Sequence, residues 1–226
     1  MLVIAIDTSG RKGSVALCRG EADSFEVLQL THLEGGTYSA RLMPVISQAL
    51  ADHHLDKTAV DGFVVVSGPG SFTGLRVGLA TVKGLCEVLQ KPLATVSMLE
   101  AVALTYGQPG ETATAILDAG RGEVYIGEYR VLAQEASVVR EYIAKLDEFG
   151  DAACAIKSDL LTPDGSVADI LVAAKVKVKL VARLQAGQIG RIGLRKLLAE
   201  DVADPGSVDV NYIRRSDAEI FSTPKP

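Results

Sequence analysis

The chain has 226 residues, 48% of them hydrophobic, which is enough to bury one large core or two small ones. Lys plus Arg number 23 against 28 Asp plus Glu, a net charge of −5 that makes it a poor lone binder of RNA or DNA. Its three cysteines, Cys18, Cys86 and Cys154, are odd in number and lack C-x-x-C spacing, so they read as reduced thiols of a cytoplasmic protein rather than a disulfide frame or zinc site.

The start, MLVIAIDTSG, turns acidic within seven residues and has no basic leader or cleavage site, so neither a secretion signal nor a membrane association is expected. LVIAID reads as a strand ending at Asp7, and SVALC returns as its hairpin partner; a third strand is expected over Phe25 to Thr31. The run ARLMPVISQALADHHL carries Leu42, Ile46, Ala49 and Leu50 at helical spacing, interrupted by Pro44. DGFVVVSGPG is a buried strand entering a glycine loop, FTGLRVGLATVKGLCEVLQ the helix that follows, KPLATVSM a strand and LEAVALTYG another helix.

Gln108 to Glu111 punctuates the chain near its midpoint, and the opening pattern then recurs. TAILDAGRGEVYIGEY is again a strand, an aspartate, a glycine turn and a returning strand, with Asp118 placed 111 residues after Asp7 in a chain of 226. An internal duplication follows, with halves at 1–107 and 108–226. Beyond it KVKVKLV alternates like an edge strand, and Val181 to Glu200 reads as a helix interrupted by Gly187, Gly190 and Gly193. The tail VNYIRRSDAEIF is too apolar to be a simple disordered end.

The stretch SGPGSFTGLRVG, Ser67 to Gly78, looks like a phosphate cradle, because glycines bracket Ser71 and Thr73 directly before a helix. It fails both standard motifs: Gly68, Gly70 and Gly74 are spaced one residue too widely for the dinucleotide fingerprint, and Leu75 stands where a P-loop needs lysine. A packing reading uses the same residues otherwise. Gly74 and Gly78 share one helix face and admit a close neighbour, Ser71 caps the helix, and Gly68-Pro69-Gly70 is a tight turn. Asp7, with Thr8 beside it, and Asp118 could hold a metal–phosphate complex across a cleft, or could simply bond turn amides. His53 and His54 are adjacent and point about 100° apart on a helix, so they cannot chelate as a pair, and no G-x-S-x-G elbow occurs.

Taken together, AIDTS (5–9), SGPGSFTGLRVG (67–78), KGL (83–85), LDAGRGEVY (117–125) and NYIRRSDAE (211–219) resemble the bacterial TsaB family, also called YeaZ. The resemblance implies an α/β fold of duplicated ribonuclease-H-like halves, as in the actin, sugar kinase and Hsp70 (ASKHA) superfamily. It implies a non-catalytic partner of TsaD, the subunit that transfers threonylcarbamoyl to the adenosine beside the anticodon of tRNAs reading codons that begin with A. A TsaE-type ATPase would join the larger complex, the chain alone would form a homodimer, and tRNA would be met only through the complex. No cofactor of its own is expected, though a nucleotide could sit at the partner interface. TsaD-like proteins carry N-H-L-E-G-H where this chain has SMLEAV, which puts Met98 and Val102 at the two metal-binding histidines; a thioether and an isopropyl group cannot replace them.

In this family the first-half helices, here 39–53 and 72–89, face the partner, which assigns Leu42, Ile46, Ala49, Leu50, Gly74 and Gly78 to that interface. On that assignment Gly74→Leu/Gly78→Leu should weaken partner binding and change the thermal midpoint only modestly. Asp7, Thr8, Gly68, Gly70, Ser71 and Asp118 would then be relics of a phosphate site. Two other readings compete: an autonomous ASKHA-type ATPase or kinase using Asp7, Asp118 and the glycine loop, and a metal-dependent, glycoprotease-like enzyme of the M22 peptidase type.

Overall fold

The computed structural model describes residues 1–211 and 213. Nearly all of the tail motif NYIRRSDAE lies outside the described residues.

Strand β1 (Leu2–Asp7) is buried at every position, which is why its sequence is a continuous apolar run rather than an alternating one. It pairs antiparallel with β2 (Lys12–Gly20), which pairs antiparallel with β3 (Phe25–Glu34). On its other side β1 runs parallel to β4 (Gly62–Gly68), and β4 to β5 (Leu93–Ser97), giving the order β3-β2-β1-β4-β5. Helix α1 (Tyr38–Asp52) lies between β3 and β4 in the chain and continues through Pro44; α2 (Phe72–Leu89) connects β4 to β5, and α3 (Met98–Tyr106) follows β5. The expected bounds of α2 match the observed ones, because Ser71 caps its first turn and Gln90 closes it in the left-handed region.

The second half repeats this topology. Strands β6 (Thr112–Gly120), β7 (Glu123–Val131) and β8 (Ala136–Lys145) form an antiparallel meander, after which come α4 (Leu146–Ala153), β9 (Asp159–Thr162), α5 (Gly165–Ala173) and β10 (Lys179–Leu180). Their order is β8-β7-β6-β9-β10, the same as in the first sheet, with β9 and β10 parallel to β6. Even the irregularity is repeated: the register slips once between β2 and β3 and once between β7 and β8. The core of this half joins Ile116, Val124 and Ile126 of the sheet to Phe149 of α4 and Leu171 of α5.

Two expectations change. The compact units are Met1–Ala101 with Leu184–Val210, and Val102–Arg183 with Asn211, so the division is not at 107/108 and a late segment returns to the first unit. That segment contains α6 (Ala186–Leu198), an unbroken helix packed on β1, β2, β4 and β5. Gly187, Gly190 and Gly193 do not interrupt it. They line its contact face, where added Cβ atoms would meet Val27, then Cys18 and Ala5, then Val64. Spacing of three keeps them on one stripe, and the missing side chains let the helix backbone lie close to the sheet. After α6 the chain bridges to β5 through Ala203 and Leu93, and Lys83 Nζ donates to Val208 O at 3.0 Å. KVKVKLV is an edge as expected, although its ladder is only two residues long.

Candidate functional site

The glycine loop Ser67–Ser71 leaves the end of β4 beside the turn that follows β1. In that turn Asp7 is buried, and its Oδ1 accepts hydrogen bonds from Ser9 N at 2.8 Å and Ser9 Oγ at 2.6 Å. Ser9 O in turn accepts from Ser71 N at 2.7 Å, which ties the loop to the hairpin. Ser71 Oγ accepts from Gly74 N at 3.4 Å, the expected helix cap. Tyr38 Oη donates to Gly10 O at 2.6 Å, and Gly13 has a Tyr38 ring atom 2.8 Å from where its Cβ would stand.

The close approaches in this loop are made to the hairpin turn. A Cβ at Gly70 would collide with Ser9 O, one at Gly74 with Thr8 O, and one at Gly78 with Thr8 Oγ1. Gly74 and Gly78 therefore seat α2 on the chain's own first turn, which corrects their assignment to a partner interface. Leu42, Ile46, Ala49 and Leu50 are corrected for the same reason: all four are buried in the first unit, on the inner face of α1. A stripe of apolar residues at helical spacing marks a covered face, and within this chain the sheet already covers it. Thr8 is fully buried, and its Oγ1 has no hydrogen-bond partner among the described residues. It lies 2.3 Å from where a Cβ on Gly78 would stand, so the glycine leaves the space that this hydroxyl occupies.

Asp118 occupies the matching turn of the second half in a different environment. It is exposed, its Oδ1 accepts from Gly120 N at 2.7 Å, and its own N donates to Asp164 Oδ2 at 2.8 Å. Gly120, Arg121 and Gly122 all have positive φ, so the two glycines here meet a backbone requirement. Both aspartates thus bond turn amides. Met98 and Val102 stand one turn apart on α3 and are buried. Among the described residues no group of three or more His, Cys, Asp or Glu is placed to hold a metal. The cysteines are free; burial pushes the Cys18 thiol up to about 12 and the Cys86 thiol to about 11, which keeps both neutral as small core residues.

The sequence reading missed the outward face of α1 and α2. Met43 is 44% exposed, Phe72 41% and Val88 78%, with Arg76 stacked over the Phe72 ring at 3.8 Å. Between Phe72 and Val88 the exposed positions of α2 include Ala80 and Gly84, and a Cβ on Gly84 would meet nothing within 4 Å. The signal was present as the complement of the buried stripe: the same helical period, offset to the other side.

The family model described as TsaD, tRNA N6-adenosine threonylcarbamoyltransferase, matches residues 35–165, more than half of the chain. The tRNA threonylcarbamoyladenosine biosynthesis protein TsaB of Bacillus subtilis is 35% identical over 130 residues, which are 58% of this chain and 56% of that protein. TsaB of Haemophilus influenzae is 33% identical over 154 residues, 67% of this chain and 58% of the relative. The chain belongs to the TsaB (YeaZ) family. It spans somewhat more than half the length of these curated relatives. The solved YeaZ from Pseudomonas aeruginosa superposes with a TM-score of 0.70 at 23% identity, covering 91% of this chain and 96% of that one. The fold is accordingly that of YeaZ, an α/β arrangement of two ribonuclease-H-like halves with one strand order. Among the described residues no helix is long and apolar enough to cross a membrane.

Proposed function

We propose that this TsaB-family chain is a non-catalytic subunit in tRNA threonylcarbamoyladenosine biosynthesis, and that it acts by binding a TsaD homologue through the outer face of α1 and α2. The observation that carries the reading is that face itself: Met43, Phe72 and Val88 are exposed apolar groups separated by Ala80 and Gly84. Large apolar anchors around a small-residue strip suit a helix from another subunit, because the strip admits its backbone and the anchors bury area beside it. In the absence of the partner, the same face pairs two copies of the chain. The names of its relatives supply the pathway, and the replacement of both expected metal ligands by Met98 and Val102 leaves the transfer step to the partner.

The test is co-purification with the TsaD homologue of the same organism, followed by a threonylcarbamoylation assay with and without this chain. Gly84→Trp fills the open strip and, in an exposed helix interior, replaces the residue least suited to a helix after proline. We expect its melting temperature to be unchanged or slightly raised, its association with the partner to weaken at least tenfold, and modification to fall with it. Wild-type association in Gly84→Trp refutes the face; full modification without the chain refutes the function.

A further inference from the structure

We infer that the corner where α1 and α2 begin receives an acidic, partly apolar surface of the partner protein, with Arg76 as the fork that takes a carboxylate. The inference rests on the function proposed above and names the chemistry that the partner brings to this end of the face.

Three contacts gather the corner. Ser71 N donates to Ser9 O at 2.7 Å and Gly35 N to Arg11 O at 2.6 Å, which joins the loops before α2 and α1 to the turn between β1 and β2. A Cβ on Gly74 would lie 3.3 Å from Tyr38 Cε2, so the first turns of the two helices stand side by side. Residues 8–12, 34–43 and 70–77 hold Arg11, Lys12, Arg41 and Arg76 against one carboxylate, Glu34, all five exposed, in a chain whose net charge is −5. The neighbouring Asp7 is buried and accepts from Ser9. Neither helix has an acidic residue in its first turn, where a carboxylate would offset the positive end of the helix.

Charge alone does not choose between a protein and a phosphate. The apolar groups do. Phe72 and Met43 are exposed at the same corner, and a polypeptide surface buries them where a phosphate chain leaves them in water. Phenylalanine, methionine and arginine are also the types enriched where proteins meet, while lysine is depleted there. Arg76 lies over the Phe72 ring at 3.8 Å. A surface that covers the ring therefore meets the guanidinium, and a carboxylate on it can accept two parallel hydrogen bonds. Resting the long side chain on the ring lowers the cost of ordering it for that pair.

The experiment measures the affinity of this chain for its TsaD homologue between about 50 and 300 mM salt, without tRNA or nucleotide. Arg41→Gln/Arg76→Gln should bind about tenfold more weakly or worse at the lower salt, and the difference from wild type should shrink as salt rises. Arg11→Gln/Lys12→Gln, on a different element, should show a smaller loss of the same sign. Glu34→Gln should tighten binding, a gain that damage to the fold does not produce. All five side chains are exposed, so melting curves by circular dichroism should coincide with that of the wild type. A lowered curve in the first pair leaves the hairpin pair and Glu34→Gln to decide. Unchanged affinity in both cation variants overturns the inference, and leaves the proposed function intact where Gly84→Trp still weakens association. Weaker binding by Glu34→Gln overturns it too. So does normal partner affinity with reduced binding of a tRNA transcript or ATP by the Arg41→Gln/Arg76→Gln complex, which would make the corner a phosphate site. Failure of the wild-type chain to associate with the TsaD homologue at all removes both readings, and is seen before any substitution.

Discussion

The two halves have one topology and very different investment in it. In the first, the two parallel strands β4 and β5 are seven and five residues long and joined by the 18-residue α2. In the second, β9 and β10 have four and two residues and the connecting α5 has nine. The difference continues into the hairpin turns. Asp7 is buried under the glycine loop and the start of α2, whereas Asp118 is exposed beside Asp164. Strand order survives shortening because it is set by chain connectivity and handedness. What differs is the fit between the first turn and the helix after the fourth strand: the first half has kept it through Gly70, Gly74 and Gly78, while at Gly165, the first residue of α5, a Cβ would meet nothing within 4 Å.

The largest expected effect tests that fit. Gly74→Leu/Gly78→Leu drives side chains into Thr8 O and Thr8 Oγ1, and the obstacle at Gly74 is backbone that cannot rotate away. The cost should exceed about 4 kcal/mol, comparable to the whole stability of an ordinary domain. We expect little folded protein by circular dichroism at 25 °C, in place of the modest change in thermal midpoint that an interface role implies. A cooperative, near-wild-type melt would mean that α2 can lift from the turn at small cost, and the contrast between the halves would lose its physical basis.

The same contrast explains what was readable in the sequence. The bounds of α2 could be read because Ser71 is a cap before a long apolar period, both local signals. The duplication could be read from two aspartates at matching turns. The use of the glycines could not. Gly74 and Gly78 carry no mark of whether the close neighbour is a partner helix or Thr8, and Leu42, Ile46, Ala49 and Leu50 would look alike over a sheet or under another subunit. Gly187, Gly190 and Gly193 misled in the opposite direction. Their low helix propensity argues for breaks, and only the sheet beneath supplies the packing that overrides it. The sheet residues they meet, Val27, Cys18, Ala5 and Val64, lie more than a hundred positions earlier, so no local window contains the reason.

A second, smaller effect compares the aspartates directly. Asp7→Ala leaves Ser9 N and Ser9 Oγ without their acceptor in a buried turn, and should cost about 1–3 kcal/mol in urea unfolding. Asp118→Ala removes a bond to Gly120 N at an exposed turn where water can replace it, and should cost less than about 1 kcal/mol. Equal costs would imply that the second turn is held as firmly as the first.

The smallest effect falls where the second half has lost its contact. Gly165 opens α5, its φ lies outside the positive range, and a Cβ there would project into open space. Gly165→Ala should therefore act mainly on the unfolded chain, by narrowing its backbone freedom, and stabilise the protein by about 0.4–1 kcal/mol. The sign is informative. Any glycine in the first-half loop that rests on Ser9 or Thr8 should be destabilised by the same replacement, since the methyl group meets backbone or a buried hydroxyl before entropy can matter. Measured in one background by urea unfolding, Gly165→Ala and Gly74→Ala should move the midpoint in opposite directions. A loss of stability in Gly165→Ala comparable to that in Gly74→Ala would show that the start of α5 is held against a neighbour as the start of α2 is, and that the second half is shortened without being loosened.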